Sequence, residues 1–340
     1  AMTWAGAREK TAEEMAATLH FAGEPEKTHL GFKMLTENLQ PYLTGSDTLE
    51  ILISNALWTD ERYPLVPKFE ETARTRYQAI VEPVSYLSED IEKTRNRINE
   101  QIECDTRGRI DELLLKGDMD MATLLVLTNA IYFKGNWLSQ FDPKETSVEP
   151  FHLAQGSAVQ VPMMHQTFAT QVCRYFKGDN FQVLELPYVG GELVMTVFLP
   201  DERDGLAKLE ETLTKDMKNA VAGLTTFNQQ LILALPKLDF RYRTFLNAAL
   251  ISLGMPTAFS SQADFHNMFA RGGASIDRVI HEANITVDEE GTIAAGATAV
   301  VMRKGPAPIN FRADHPFLFL IRDLRTGAIL FMGRVMNPSQ

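Results

Sequence analysis

The spacing of the apolar residues changes along the chain from a helical period to a strand period. Four early segments place apolar residues three and four positions apart, and these are residues 11–21, 26–39, 66–79 and 89–104. Thr11 and Glu14 have the spacing of a capping box, which predicts that the first helix begins there. The run 49–58 is predicted to be a buried strand, and the run 124–133 is long and almost wholly apolar. Such runs are typical of strands that are covered on both faces of a sheet.

Short strands predominate in the second half of the chain. They are predicted at residues 159–164, 168–176, 181–188, 192–199, 229–235, 279–288, 309–311, 317–322 and 328–335. Helical spacing returns only at 205–222 and 244–253. Helices early, strands late and no regular alternation of the two indicate an α+β fold with large sheets.

Composition narrows the classes of protein to which the chain can belong. The 340 residues are 45% apolar and include 20 Phe, which is enough for a large core. The net charge of −11 argues against nucleic acid or an anionic membrane surface as a partner. No run approaches the roughly 20 apolar residues of a membrane span. Cys104 and Cys173 lie far apart, so we expect two free thiols rather than a disulfide.

The sequence contains none of the common motifs of an enzyme active site. No two of its seven histidines have the i, i+4 spacing of a zinc-binding helix, and neither cysteine has a partner two residues away. A Gly-x-Ser-x-Gly elbow and a dinucleotide-binding glycine pattern are also missing. We therefore predict that the protein is not an enzyme and that it uses no metal or cofactor.

The segment 288–301, Asp-Glu-Glu-Gly-Thr-Ile-Ala-Ala-Gly-Ala-Thr-Ala-Val-Val, is the most unusual part of the chain. After three acids and a glycine it has ten residues without charge. With a period of two, one face consists of Thr292, Ala294, Gly296, Thr298, Val300 and Met302. No side chain on that face requires solvation, so the segment could lie in the middle of a sheet. Its alanines and glycines nevertheless give it a low strand propensity. An ordinary loop or helix of small residues and a switch between loop and strand both fit the pattern.

Several short motifs in fixed order resemble those of one family. They are Asn129-Ala-Ile-Tyr-Phe-Lys-Gly135 followed by Trp137 and Phe141, then Leu184-Glu-Leu-Pro-Tyr188, Leu235-Pro-Lys237, Glu289-Glu-Gly-Thr292, His315-Pro-Phe317 and Leu330-Phe-Met-Gly-Arg-Val-Met-Asn-Pro338. Each motif is weak alone, but together they run the length of the chain. On this basis the chain resembles the serpins, a family of serine protease inhibitors.

The resemblance implies a serpin fold with three β-sheets, eight to nine helices and an exposed reactive loop within about 289–308. It implies a single domain over residues 1–340 that lacks the family's first helix and the following strand, so we expect the sequence to be incomplete at its amino terminus. The implied function is irreversible inhibition of a serine protease through a covalent 1:1 complex, formed by a monomer that inserts its cleaved loop into the main sheet. The alternative is a non-inhibitory serpin with a carrier, storage or chaperone role.

The resemblance also assigns roles to particular residues. The hinge of the loop comprises Glu289, Glu290, Gly291, Thr292, Ala294, Ala295, Gly296, Ala297 and Thr298. Trp137, Lys237 and Glu289 are expected at the top of the main sheet, in the region called the breach where insertion begins. Asn129 and His281 are expected as a buried polar pair, called the shutter, beneath the strands that must separate.

The bond that the protease attacks is less well defined. The spacing between motifs in the family places it at Gly305–Pro306. Glycine has no side chain to fill the specificity pocket of a protease, and proline after the bond resists cleavage. Lys304–Gly305 presents a cation to the acidic pocket of a trypsin-like protease. Arg303–Lys304 is a further candidate. We prefer Lys304–Gly305, which predicts a trypsin-like serine protease as the target.

Overall fold

The protein is described by a computed structural model that covers residues 1–43, 48–154, 156–168, 172–227, 229–290 and 307–339. The chain divides into two compact units. The first consists of Ala1–Ser46, Glu50–Phe133 and Arg241–Asn284, and the second consists of Asp47–Leu49, Lys134–Phe240 and Ile285–Gln340.

The helices fall into long α-helices and single 3₁₀ turns. The α-helices are α1 (Glu9–Thr18), α2 (Pro25–Leu43), α3 (Pro67–Tyr77), α4 (Ile91–Asp105), α5 (Leu206–Ala222) and α6 (Asn247–Leu253). The 3₁₀ helices are Met2–Gly6, Pro143–Glu145 and Thr257–Phe259. Within the described residues, therefore, only six of the expected eight to nine helices are α-helices. The other three are only three to five residues long and are 3₁₀ helices. Segments this short commonly form i→i+3 hydrogen bonds instead of the i→i+4 bonds of an α-helix. None of the described helices is both long and apolar enough to cross a lipid bilayer.

Fourteen strands in the described part of the chain form three sheets. They are β1 (Leu49–Asp60), β2 (Ile80–Val84), β3 (Leu125–Gly135), β4 (Ser147–His152), β5 (Ala158–Phe168), β6 (Arg174–Lys177), β7 (Phe181–Pro187), β8 (Leu193–Pro200), β9 (Leu231–Pro236), β10 (Leu238–Phe245), β11 (Arg278–Val287), β12 (Ile309–Arg312), β13 (Phe317–Asp323) and β14 (Ile329–Val335). The sheet orders are β10-β11-β3-β1-β2, β12-β9-β5-β4 and β14-β13-β8-β7-β6. This confirms an α+β fold with three sheets.

Each unit has a core built from the apolar faces of its helices and strands. In the first unit, Ile98 and Ile102 of α4 pack into a cluster with Trp58 of β1 and with Val126 and Ala130 of β3. In the second unit, α5 buries leucines against Phe198 of β8 and Leu320 of β13 in a similar cluster. Every residue of β8 is buried, which explains its nearly continuous apolar sequence.

The predicted capping box at Thr11 and Glu14 is wrong. Helix α1 begins earlier, at Glu9, after Arg8, and Arg8 provides no side-chain cap. The Thr11 hydroxyl instead accepts a hydrogen bond from the Asp264 backbone N–H at 2.9 Å. The Glu14 carboxylate accepts hydrogen bonds from the backbone N–H and the hydroxyl of Thr257, at 2.9 and 2.8 Å. Both side chains therefore bind residues that are distant in sequence, Asp264 and Thr257, and neither caps the amino terminus of α1.

The strands that the sequence pattern failed to predict are β2, β4 and β10, and each lies at the edge of its sheet. An edge strand tolerates charged residues and proline, because one side of its backbone needs no partner strand. Accordingly β4 contains Pro150, and β10 alternates apolar residues with charged ones. Strand β10 continues to Phe245, so the helix predicted at 244–253 begins later, at Asn247.

Candidate functional site

Strands β3 and β11 are hydrogen-bonded neighbours in the first sheet, and their side-chain contacts show that they are parallel. Asn129 of β3 contacts His281 of β11. Five residues later on β3, Lys134 pairs with Asp288, the residue that follows β11. The contacts advance in the same direction along both strands, as parallel strands require. A segment that turned back after β11 and entered between these strands would therefore run antiparallel to both.

Three uncharged residues, Asn55 of β1, Asn129 of β3 and His281 of β11, form what we call the neutral cluster. The Asn129 side-chain oxygen accepts a hydrogen bond from His281 Nδ1 at 2.5 Å. Because that oxygen can only accept, Nδ1 of the ring must carry a proton. The Asn129 amide nitrogen donates to the Asn55 side-chain oxygen, also at 2.5 Å. One chain of hydrogen bonds thus links three adjacent strands.

His281 is held in its neutral form by its surroundings. Burial of the ring lowers the pKa of His281 below its ordinary value, and the hydrogen bond to Asn129 opposes this shift only in part. A neutral ring keeps one N–H for Asn129, so the cluster contains no net charge at neutral pH.

The charged residues that follow β11, together with their partners, form what we call the charged cluster. Its members are Lys134, Trp137, Thr146, Lys237, Asp288, Glu289 and Glu290. Glu289 is its centre: one carboxylate oxygen lies 2.6 Å from Lys237 Nζ, and the other accepts a hydrogen bond from the Thr146 hydroxyl at 2.7 Å. Only 9% of Glu289 is exposed. Burial opposes ionisation, but the bonds from Lys237 and Thr146 outweigh it and lower the pKa of Glu289.

The adjacent acid, Glu290, contacts a different lysine. Lys134 Nζ lies 2.7 Å from the Glu290 carboxylate and 3.9 Å from that of Asp288. The hydrogen bond and the charge of Lys134 lower the pKa of Glu290, although 71% of the Glu290 side chain is exposed. The two successive glutamates are therefore held by two different lysines, Lys134 of β3 and Lys237, which lies between β9 and β10.

Trp137 fixes the backbone at the same position. Its indole Nε1 donates a hydrogen bond to the Asp288 carbonyl oxygen at 2.9 Å. The ring stacks on Tyr188, with centroids 4.6 Å apart and planes 11° apart, and meets the edge of Phe141 at 6.1 Å. Side-chain and backbone contacts together therefore anchor the residues that lead from β11 into the segment after Glu290.

The structure brings Trp137, Lys237 and Glu289 together, and it joins Asn129 to His281. Other residues to which the sequence analysis gave a role lie outside the described residues, and these are Gly291, Thr292, Ala294, Ala295, Gly296, Ala297, Thr298, Arg303, Lys304, Gly305 and Pro306. Asn55, Thr146, Lys134 and Asp288 were not predicted as site residues. Asn55 gave little signal, because β1 contains several other polar residues, namely Glu50, Ser54, Thr59 and Asp60.

The described residues contain no group of three or more His, Cys, Asp or Glu side chains that could hold a metal ion. Both cysteines are free thiols, with Cys104 exposed and Cys173 buried. Burial and then the nearby Glu185 carboxylate raise the pKa of the Cys173 thiol to about 12. A thiol with that pKa stays protonated and has little nucleophilic character.

Comparison with known proteins identifies the family. The model of the family described as Serpin (serine protease inhibitor) matches residues 1–338. Serpin B8 of Bos taurus is 38% identical over 341 residues, which cover 99% of this chain and 89% of that protein. The chain belongs to the serpin family. As a serpin it belongs to a family of protease inhibitors with a reactive loop and is not an enzyme.

Solved serpin structures agree with this assignment. Uncleaved ovalbumin superposes with a TM-score of 0.86 at 27% identity, over 99% of this serpin and 90% of that chain. An Arabidopsis serpin in a conformation described as native and stressed superposes with a TM-score of 0.88 at 27% identity, over 100% of this serpin and 88% of that chain. The predicted serpin fold is therefore confirmed.

Proposed function

We propose that this serpin is an irreversible suicide-substrate inhibitor of trypsin-like serine proteases. The observation that carries the proposal is the adjacency of β11 and β3 as parallel neighbours in the described residues, with the end of β11 anchored by the charged cluster. A loop that leaves from this point can turn back and add an antiparallel strand between the two.

The proposed chemistry begins as ordinary proteolysis. The serine oxygen of the protease attacks the carbonyl carbon of Lys304, and the amide bond to Gly305 breaks. The protease's histidine gives its proton to the departing amine of Gly305, and an ester joins the protease to Lys304. The freed segment then enters the sheet and carries the protease with it before water can hydrolyse the ester.

Insertion supplies the energy that makes the trap irreversible. About 14 residues at ~3.3 Å each give roughly 46 Å of new strand. Ten new ladder hydrogen bonds at ~1 kcal/mol each contribute on the order of 10 kcal/mol. That gain is comparable with the stability of a whole domain. The uncut loop is tethered at both ends and cannot easily make these bonds.

The side chains of the hinge suit this movement. Gly291 has no Cβ atom and would allow the backbone to turn, and Thr292, Ala294 and Gly296 would put nothing large or charged on the face that enters the core. The even-numbered face therefore meets the requirement for burial between two central strands.

Incubation with trypsin tests both the mechanism and the specificity. We expect a 1:1 complex that survives SDS, and we expect Lys304→Ala to reduce its formation with trypsin at least tenfold.

Thr292→Arg should convert the inhibitor into a substrate, because insertion would bury an unpaired charge. Ile293→Arg is the matched control: in the alternation of an inserted strand this side chain would be on the opposite face from Thr292, so the complex should still form. Simple cleavage of the unaltered protein without a complex would refute the proposal.

A second experiment measures the stored energy directly. The loop is nicked by a protease that is not trapped, and thermal unfolding is recorded before and after. We expect the midpoint to rise by about 20 °C or more, given a gain of ~10 kcal/mol. An unchanged midpoint together with plain cleavage would instead support the non-inhibitory alternative.

A further inference from the structure

A cavity of about 300 Å³ lies within the second unit, between the turn that joins β6 to β7 and helix α5. Its apolar lining comes from Phe176 and Phe181 on the turn side and from Leu209, Leu213 and Ala220 on the helix side. Leu209, Leu213 and Ala220 are at most 4% exposed, so the floor of the cavity belongs to the core of the unit. The described residues that form it have no part in the proposed inhibitory site.

The walls of the cavity are shaped by local backbone features. Helix α5 departs from helical geometry at Asp216, where φ is −139° and ψ is 21°, and both arms of the helix contribute to the lining. A Cβ atom on Gly178 would come within 2.5 Å of the Phe181 ring, and one on Gly223 within 2.6 Å of the Phe176 ring. Each ring therefore occupies space that the Cβ atom of any residue other than glycine would need. This close packing holds the two phenylalanine rings, which form the aromatic wall of the cavity, in place.

The rim of the cavity carries an excess of negative charge. Asp179, Glu202 and Asp216 line it together with Lys177 and Lys208. Lys177 is already paired with Asp201 at 2.5 Å, outside the lining. Among the described residues, neither Asp179 nor Glu202 forms an ion pair. These two exposed carboxylates lie beside an aromatic wall and an apolar floor, and together with Asp216 they outnumber Lys208, the other lysine of the rim.

We propose that this cavity binds a small aromatic amine, with its ring against Phe176, Phe181 and Leu213 and its ammonium group at Asp179 and Glu202. The volume equals that of roughly ten liquid waters and lies at the lower end of the range for ligand sites. It accommodates a ligand of about a dozen non-hydrogen atoms. A cation also interacts favourably with the faces of the two phenylalanine rings. The proposal is independent of protease inhibition.

A pair of ligands with the same ring and opposite charge tests the proposal. Tryptamine and indole-3-acetate are titrated into the full chain, with binding followed by calorimetry or by NMR of the ligand. We expect a dissociation constant for tryptamine on the order of 1 mM, as suits a ligand of this size. Indole-3-acetate should bind at least fivefold more weakly, and added salt should reduce the difference. Equal binding of the two, or tighter binding of the acid, would overturn the proposal.

Variants locate the binding. Asp179→Asn combined with Glu202→Gln should weaken tryptamine about fivefold and leave indole-3-acetate bound no more weakly than before. Glu211→Gln is the matched control, because Glu211 is an exposed acid on the same helix outside the lining. Leu213→Trp should fill the cavity and abolish binding. If that variant does not fold, the exposed double variant still decides the question, and tryptamine binding unaffected by it would overturn the proposal.

Discussion

The charged cluster and the neutral cluster both connect β3 with β11 or with the residues just after it, but they do so with different chemistry. Around Glu289 the strands are held by lysine–carboxylate pairs whose partners are partly exposed. Around Asn129 they are held by uncharged hydrogen bonds and by a histidine that burial keeps neutral. Because salt screens pairs of charges and has little effect on hydrogen bonds between uncharged groups, salt should act differently on the two clusters.

This difference matters for a sheet that is proposed to open. The hydrogen bonds of the half-buried neutral cluster are costly to break unless new partners replace them. The Lys134–Glu290 pair, whose carboxylate is 71% exposed, exchanges its partner for water at little cost. Insertion that starts at the charged cluster would therefore meet the smaller barrier first. The following changes test that contrast.

The largest effect is expected from Asn129→Ala. The change removes both bonds of the amide, so the His281 N–H and the Asn55 side-chain oxygen lose their partner inside the sheet. We expect a loss of about 2 kcal/mol in the free energy of unfolding, measured by denaturant titration. Asn284→Ala is the control: this residue on β11 makes one long bond, at 3.3 Å, and should cost about 0.5 kcal/mol or less. Equal losses for the two variants would contradict the special role of the neutral cluster.

Acid should weaken the neutral cluster through His281. Its pKa is lowered in the folded protein, so above its ordinary value of about 6.5 the ring is neutral in both states and contributes no pH dependence. As pH falls below that value, the unfolded chain binds the proton first and stability drops by up to ~1.4 kcal/mol per pH unit until the folded pKa is reached.

His281→Asn isolates this contribution, since the pKa of His29 is also lowered by burial. The difference in unfolding free energy between the parent and this variant should change between pH 6.5 and 5. A difference that stays constant across this range would show that His281 is not kept neutral by the fold.

Lys237→Met should cost about 1 kcal/mol at low salt, because it leaves the buried Glu289 carboxylate with Thr146 but without its cation. At 1 M salt, where the screening length is about 3 Å, the loss should be smaller. The loss caused by Asn129→Ala should stay the same at both salt concentrations. If salt reduced the two losses equally, the contrast between the clusters would be wrong.

The smallest effect is expected from Glu290→Gln. Its side chain is 71% exposed, and Lys134 retains Asp288 as an alternative partner, so the loss should be about 0.3 kcal/mol. Denaturant titration beside Lys237→Met measures the difference. A loss as large as that of Lys237→Met would mean that burial does not separate the two glutamates.

Sequence patterns predicted the parts of the fold that depend on local periodicity. The apolar strands at 49–58 and 124–133 became β1 and β3, and the family motifs led to the serpin fold. The edge strands β2, β4 and β10 were missed, because their charged residues and prolines weaken the apolar pattern on which strand prediction depends.

The candidate site shows a similar limit. Contacts such as Thr146 to Glu289 and Asn55 to Asn129 join residues 143 and 74 positions apart in the chain. Nothing in the local pattern around either residue indicates its partner. Thr11 and Glu14 illustrate the opposite error, since a local motif was present and distant residues used both side chains.

The position of β13 has a consequence for the product of cleavage. Strand β13 lies between β8 and β14, pairs with both along its length, and buries Phe317, Phe319 and Ile321. A cut at the proposed bond would separate the segment that begins at Gly305 from the rest of the chain, yet its strand β13 would remain paired between β8 and β14. The nicked molecule should therefore elute as one particle in gel filtration. It should release the smaller fragment only when a detergent or denaturant unfolds the sheet.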